Sequence, residues 1–147
     1  MSTLNVYLYF QGNCEEAFQL YKRVFRGEFE FIGRYKDAPP EARENFPYCS
    51  DEQIMHVSLP ISKETVLMGA DQIVPHPETP DTRSRFSLYV SAETREEAER
   101  IFSGLSDDGE IIVPIENQFW GSYYGQCIDK FGINWKINSR NRNSPEI

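Results

Sequence analysis

Leu88-Tyr89-Val90 followed by Glu96-Glu97-Ala98 repeats, class for class, Leu8-Tyr9-Phe10 followed by Glu15-Glu16-Ala17, about 80 residues earlier. After each Glu-Glu-Ala comes the same apolar set: Ala17, Leu20, Tyr21 and Val24 in the first copy, Ala98, Ile101, Phe102 and Leu105 in the second. That is the i, i+3, i+4, i+7 spacing of one helical face, so each copy reads as a strand feeding an amphipathic helix. Asn13 stands three residues before Glu16, and Thr94 three before Glu97. A capping side chain with a carboxylate reaching back is therefore expected at both helix starts, the cap worth about 1 kcal/mol. Strand, cap and core face recur together, which points to an internal duplication.

Working outward, Leu4 to Phe10 alternates as a strand, with Leu4, Val6, Leu8 and Phe10 on one face and Asn5, Tyr7 and Tyr9 on the other. The first helix is predicted over Cys14 to Phe25, with Gly27 at the position after its end. Glu28 to Tyr35, Gln53 to Ile61 and Thr65 to Ala70 read as strands. Met55, Val57, Leu59 and Ile61 share one face, and Ile54, His56 and Ser58 the other. Lys36 to Asp51, with Pro39, Pro40 and Pro47, is expected to lack regular structure and to serve as an arm, a mobile loop or a lid.

The second half repeats the order. Strands are predicted over Arg85 to Val90, Glu110 to Pro114, Tyr123 to Ile128 and Asn134 to Asn138, with a helix over Arg95 to Leu105. The fold class is thus α+β: two tandem βαβββ modules in a single domain, about 4–71 and 84–138, joined by a connector over 72–83 and followed by a polar, frayed tail from 139 to 147. A helix covers the outer face of each curled sheet. The inner face is left to line a cavity, to pack on the other module, or to pack on a second chain.

A chain of 147 residues with 39% apolar content can bury one ordinary core. Its 14% aromatic share is high for so polar a sequence and fits either a lined cavity or a well-filled core. A net charge of −8 with no basic stripe argues against nucleic acid and against an anionic membrane surface. Cys14, Cys49 and Cys127 are odd in number and share no close spacing, and no apolar run of about 18 residues occurs. The expectation is a reduced, soluble, cytoplasmic protein.

The passages Tyr7-Leu8-Tyr9-Phe10-Gln11-Gly12-Asn13 with Glu15-Glu16-Ala17, Ile54-Met55-His56-Val57, Leu67-Met68-Gly69-Ala70-Asp71, and Phe119-Trp120-Gly121 through Asp129-Lys130-Phe131-Gly132 to Trp135 carry a family resemblance. The chain resembles the vicinal oxygen chelate (glyoxalase and bleomycin-resistance-like) superfamily, and within it the PhnB-like branch, whose members often carry the description 3-demethylubiquinone methyltransferase. The resemblance implies paired βαβββ modules, a homodimer, and concave sheets that form ligand clefts. In metal-dependent members one His or Glu stands on the first and last strand of each module. The corresponding positions here are Val6, near Met68, Arg85 and Lys136. An aliphatic, a thioether and two cations do not make a site for a divalent ion, so no metal and no cofactor are expected. A methyltransferase of the common nucleotide-binding type wants a Gly-rich turn between strand and helix, and none of the nine glycines forms one.

His56 is the candidate catalytic residue, a neutral imidazole on the inner face able to act as a general base, or else a histidine satisfied by a neighbour. Asp71 either partners His56 or caps a turn. Arg85 offers a fork to an anionic ligand or pairs with one of the many acids. Tyr7, Tyr9, Trp120 and Tyr123 are candidate ligand-binding aromatics. The Phe119-to-Gly125 stretch fits a pocket wall and ordinary packing equally well, and Trp135 is expected in the core. The resulting expectation is a protein that binds a small molecule in an aromatic cleft without metal, as some relatives bind antibiotics. The alternative is an isomerase or lyase using His56 as acid or base.

Overall fold

The computed structural model describes residues 4–73, 87–118 and 121–140. The chain divides into two compact units, Met1–Glu78 and Thr79–Ile147. In the first, β1 (Val6–Phe10), α1 (Cys14–Phe25), β2 (Phe31–Arg34), β3 (Ile54–Pro60) and β4 (Val66–Asp71) build a four-stranded sheet of order β1-β4-β3-β2. Only β1 and β4 run parallel: α1 carries the chain back from β1 to the start of β2, and β2, β3 and β4 then follow as an antiparallel run. In the second unit β5 (Leu88–Ser91), α3 (Arg95–Ser106), β6 (Glu110–Asn117), β7 (Ser122–Ile128) and β8 (Asn134–Arg140) repeat that plan with order β5-β8-β7-β6. The duplication read from the sequence is therefore a duplication of topology.

Each helix buries the face its spacing marks. Ala17, Phe18, Leu20, Tyr21 and Val24 of α1 are buried, as are Ala98, Ile101, Phe102 and Leu105 of α3. They meet the apolar side of their own sheet: Leu8, Phe10, Val57, Leu59 and Leu67 in one unit, Cys127, Trp135 and Ile137 in the other. Glycine lets the aromatic of each helix come close to the sheet. A Cβ on Gly69 would lie 2.6 Å from Phe18, and one on Gly125 would lie 2.9 Å from Phe102.

Of the two helix starts, one matches the prediction and one differs. Thr94 caps α3 as expected, its hydroxyl accepting from the Glu97 N–H at 3.1 Å, and the Glu97 carboxylate accepts from the Glu93 N–H at 3.3 Å. Asn13 makes no side-chain cap. The carboxylate of Asp71 has taken that role, accepting from the N–H groups of Gly12 at 2.9 Å and Cys14 at 3.0 Å. At the far end of α1 the left-handed residue is Arg26, at φ 55°, and not Gly27. Gly27 is needed for another reason: a Cβ there would stand 2.8 Å from the Pro60 carbonyl oxygen.

Several boundaries also move. Strand β2 begins only at Phe31, and the chain after it forms a 3-10 turn over Tyr35–Asp37 and a single helical turn, α2 (Pro40–Arg43). Proline does not forbid α2 because it sits in the first turn, where an N–H has no intrahelical partner anyway. Ile54, expected beside His56, is fully buried instead. Gly33 pairs with His56 but Arg34 pairs with Ile54, so Met55 is an extra, bulged residue that returns Ile54 to the core side. Strand β6 runs through Pro114 to Asn117, with one register shift before the proline, between Ile111 and Val113, and one across it, between Val113 and Glu116, as an edge strand allows. Strand β8 continues to Arg140, and Ser139, expected to fray, is buried. Among the described residues no helix is long and apolar enough to cross a membrane.

Candidate functional site

On the face of the first sheet turned away from α1, the alternation of β1 and β3 brings Tyr7, His56 and Ser58 together. Tyr7 lies opposite Met68 of β4, Met68 opposite Ser58, and Ser58 opposite Phe31, so a row crosses all four strands. His56 is held from both sides. Its Nδ1 shares a hydrogen bond of 3.0 Å with the Tyr7 hydroxyl, and its Nε2 one of 3.0 Å with Ser58 Oγ. Both partners are hydroxyls that donate or accept, so this setting suits either neutral tautomer as well as the imidazolium. The Tyr7 and Phe31 rings flank the imidazole at 5.6 and 5.9 Å, and Tyr9 stands 5.2 Å from Tyr7. Tyr7 is 38% exposed, Phe31 51% and Tyr9 62%, so a polar triad lies within an accessible aromatic patch. Partial burial, followed by the neighbouring Tyr9 and Cys14, raises the Tyr7 pKa and keeps it a neutral phenol.

Asp71 does not join this triad. Its carboxylate, buried at the end of β4, also accepts from the Ile54 N–H at 3.0 Å, so three backbone groups from two distant segments converge on it. The Tyr35 hydroxyl donates to its main-chain oxygen at 2.6 Å. Burial, then Asp71, then Glu15 push the Cys14 thiol far up. Burial and Asp129 push Cys127 up to about 12. Neither thiol is a nucleophile at neutral pH.

In the second unit Tyr123 points toward α3: its hydroxyl donates to Glu99 Oε1 at 2.5 Å and the Arg95 guanidinium lies 4.2 Å from its ring. Its neighbour Tyr124 occupies the opposite face, with Gln126, whose amide donates to Asn134 Oδ1 at 3.0 Å. Tyr89 is exposed and lies opposite Lys136. Trp135 is in the core, its indole N–H donating to Asp129 at 2.9 Å. Arg85 and Trp120 lie outside the described residues.

Two participants, Ser58 and Phe31, are not among the candidate site residues of the sequence. Ser58 was placed on the right face, and the i, i+2 spacing on a strand was the signal that it would neighbour His56. Phe31 had no such signal, since its position depends on how β2 registers against β3.

The superfamily's divalent ion calls for several imidazole, carboxylate or thiolate donors. The side chains gathered on this face are one imidazole, one thioether, two phenols and one alcohol. Among the described residues no group of three or more His, Cys, Asp or Glu is placed to hold a metal. The described side chains of this face do not fit the ion.

Two βαβββ units of this kind make a glyoxalase-type fold. A glyoxalase family protein from Bacillus cereus shares the fold with a TM-score of 0.64 over 95% of each chain, at 11% identity. The sequence matches the family described as 3-demethylubiquinone-9 3-methyltransferase over residues 2–138. Protein PA1353 from Pseudomonas aeruginosa is 30% identical, with a TM-score of 0.76 covering 95% of this chain and 98% of that one. A putative 3-demethylubiquinone-9 3-methyltransferase, PhnB protein, from Bacillus cereus is 28% identical, also at 0.76, covering 94% and 99%. Protein YjdN of Escherichia coli (strain K12) is 29% identical over 92% of this chain and 93% of its own. The chain belongs to this PhnB-like family of the vicinal oxygen chelate superfamily.

Proposed function

We propose that the open face of the first sheet recognises a small aromatic-bearing molecule without a divalent metal, with Tyr7, His56 and Ser58 making polar contacts and Tyr9 and Phe31 stacking. The observation that carries this reading is the His56 imidazole, held at both nitrogens by hydroxyls amid accessible rings. Polar groups fixed in an apolar surround give orientation, and the rings supply contact area.

The methyl-transfer activity in the family description is not carried over. In a nucleotide-cofactor turn the backbone N–H groups at the helix start are left open to the ligand. Here those of Gly12 and Cys14 are already taken by Asp71. The same reading takes the protein as a homodimer, by likeness to its superfamily, and as cytoplasmic, in keeping with its three free thiols.

A thermal-shift screen of phenols, hydroxy-aromatic acids and divalent ions, with chelator controls, tests the proposal. A ligand at 100 times its Kd stabilises by about 2.7 kcal/mol, a shift of several degrees. The expected result is a shift from an aromatic compound that His56→Ala and Phe31→Ala abolish. A ligand shift indifferent to both variants, or one equivalent of metal per chain with its own shift, overturns the reading. A second reading, that His56 also moves a proton on the bound molecule, draws on its two hydroxyl contacts and requires turnover lost in His56→Ala.

A further inference from the structure

Ser58, His56 and Tyr7 stand in the order of a nucleophile, its base and the group that orients the base. We propose that Ser58 is an acyl-accepting nucleophile, activated by His56, and that the site takes activated aryl esters. This rests on the binding face described above and assigns it a reaction. The two contacts of 3.0 Å, one at each ring nitrogen, are the geometry such a step requires.

The step balances within these three side chains. With Nδ1–H donating to the Tyr7 oxygen, Nε2 carries the lone pair and accepts the Ser58 proton as Oγ attacks the ester carbonyl carbon. The carbon–oxygen bond to the aryl group breaks, and the leaving aryl oxide takes the proton from Nε2. Water, deprotonated by the same nitrogen, then cleaves the acyl-Ser58 bond, releasing the acid and restoring the hydroxyl. Tyr7 is a positioning residue: when its oxygen accepts from Nδ1–H, Nε2 is left to take the Ser58 proton.

The surroundings decide the substrate class. Strand β3 lies between β2 and β4, so its backbone amides are committed to the two ladders. They are not offered to an oxyanion at Ser58, and losing one such donor slows an acyl transfer about 10²–10³-fold. Amides and alkyl esters are then out of reach, while esters with a good leaving group remain. Tyr7, Tyr9 and Phe31 provide faces on which an aryl leaving group can stack.

The test uses the full chain, p-nitrophenyl acetate as reagent and p-nitrophenol as the unreactive probe of binding. Wild-type protein should release p-nitrophenolate and carry one acetyl group on the peptide containing Ser58, located by mass spectrometry. Ser58→Ala should lose that label, and His56→Gln should slow its formation at least tenfold, with circular dichroism confirming both folds. Tyr7→Phe should lower kcat several-fold with KM within about twofold, a split that a merely structural role would not give. Acetylation confined to lysines or to His56, or a Ser58→Ala rate equal to wild type, overturns the proposal. If wild type binds p-nitrophenol but Ser58 is never acetylated, the nucleophile assignment alone fails. If it neither binds p-nitrophenol nor is acetylated, the binding face fails with it.

Discussion

Asp71 of the first unit and Asp129 of the second close the same kind of sheet in opposite ways. Asp71 draws its three N–H donors from Gly12, Cys14 and Ile54, which belong to the first strand–helix turn and to the start of β3. Asp129 takes the N–H groups of Phe131 and Ile133 and the indole of Trp135, all within six residues. One carboxylate ties remote parts of the chain together; the other serves, among the described residues, the donors of its own turn. With a distant acceptor already in place, α1 has no use for Asn13 as a cap, whereas α3 depends on Thr94. Duplicated sequence therefore gives duplicated topology, but each copy satisfies its orphan backbone groups by its own route.

The open faces diverge in the same manner. The first presents a histidine between two hydroxyls, and the second presents Tyr124 with the Gln126–Asn134 pair and no imidazole. The chemistry proposed above therefore rests, among the described residues, on the first module.

The sharpest way to break the first contrast is Asp71→Ala. At about 1–3 kcal/mol for each buried N–H left stranded, the loss should be on the order of 5 kcal/mol in urea denaturation. Asp129→Ala should cost less, since two of the three donors named for it are part-buried against one of three for Asp71. Equal losses would erase the distinction between long-range and local closure.

Phe102→Ala should cost roughly 3–5 kcal/mol, because the ring is buried over Gly125 and its removal leaves a cavity. A near-neutral result would falsify the equivalence of the two helices. Thr94→Ala should cost about 1 kcal/mol and Asn13→Ala a few tenths at most, read as melting temperatures of the two variants side by side. Reversed values would restore the symmetric capping that the sequence implies.

The smallest effect concerns acid. Two hydrogen bonds of 2.8 and 2.7 Å from the Arg34 guanidinium hold the Glu15 carboxyl below its usual range. A carboxyl depressed in the folded state contributes stability above its unfolded pKa, about 4.3, and loses it as pH falls through the folded value. Arg34→Met should therefore flatten the acid side of the stability curve below about pH 4, slightly, because the pair is solvent-screened.

Much of this fold was legible in the sequence because it rests on local periodicity. The 3.6-residue spacing placed α1 and α3, alternation placed Tyr7 and Tyr9 away from Leu8 and Phe10, and the i, i+2 relation put Ser58 beside His56. Those patterns depend only on how side chains project from a helix or strand. The bulge at Met55, the seat of Phe31 beside His56, the inward turn of Tyr123, and the choice of Asp71 over Asn13 at the head of α1 were not legible. Each depends on which strand lies next to which and in what register, or on which distant acceptor reaches an orphan N–H first. Periodicity says which face a residue takes. Only the assembled sheets decide what that face meets.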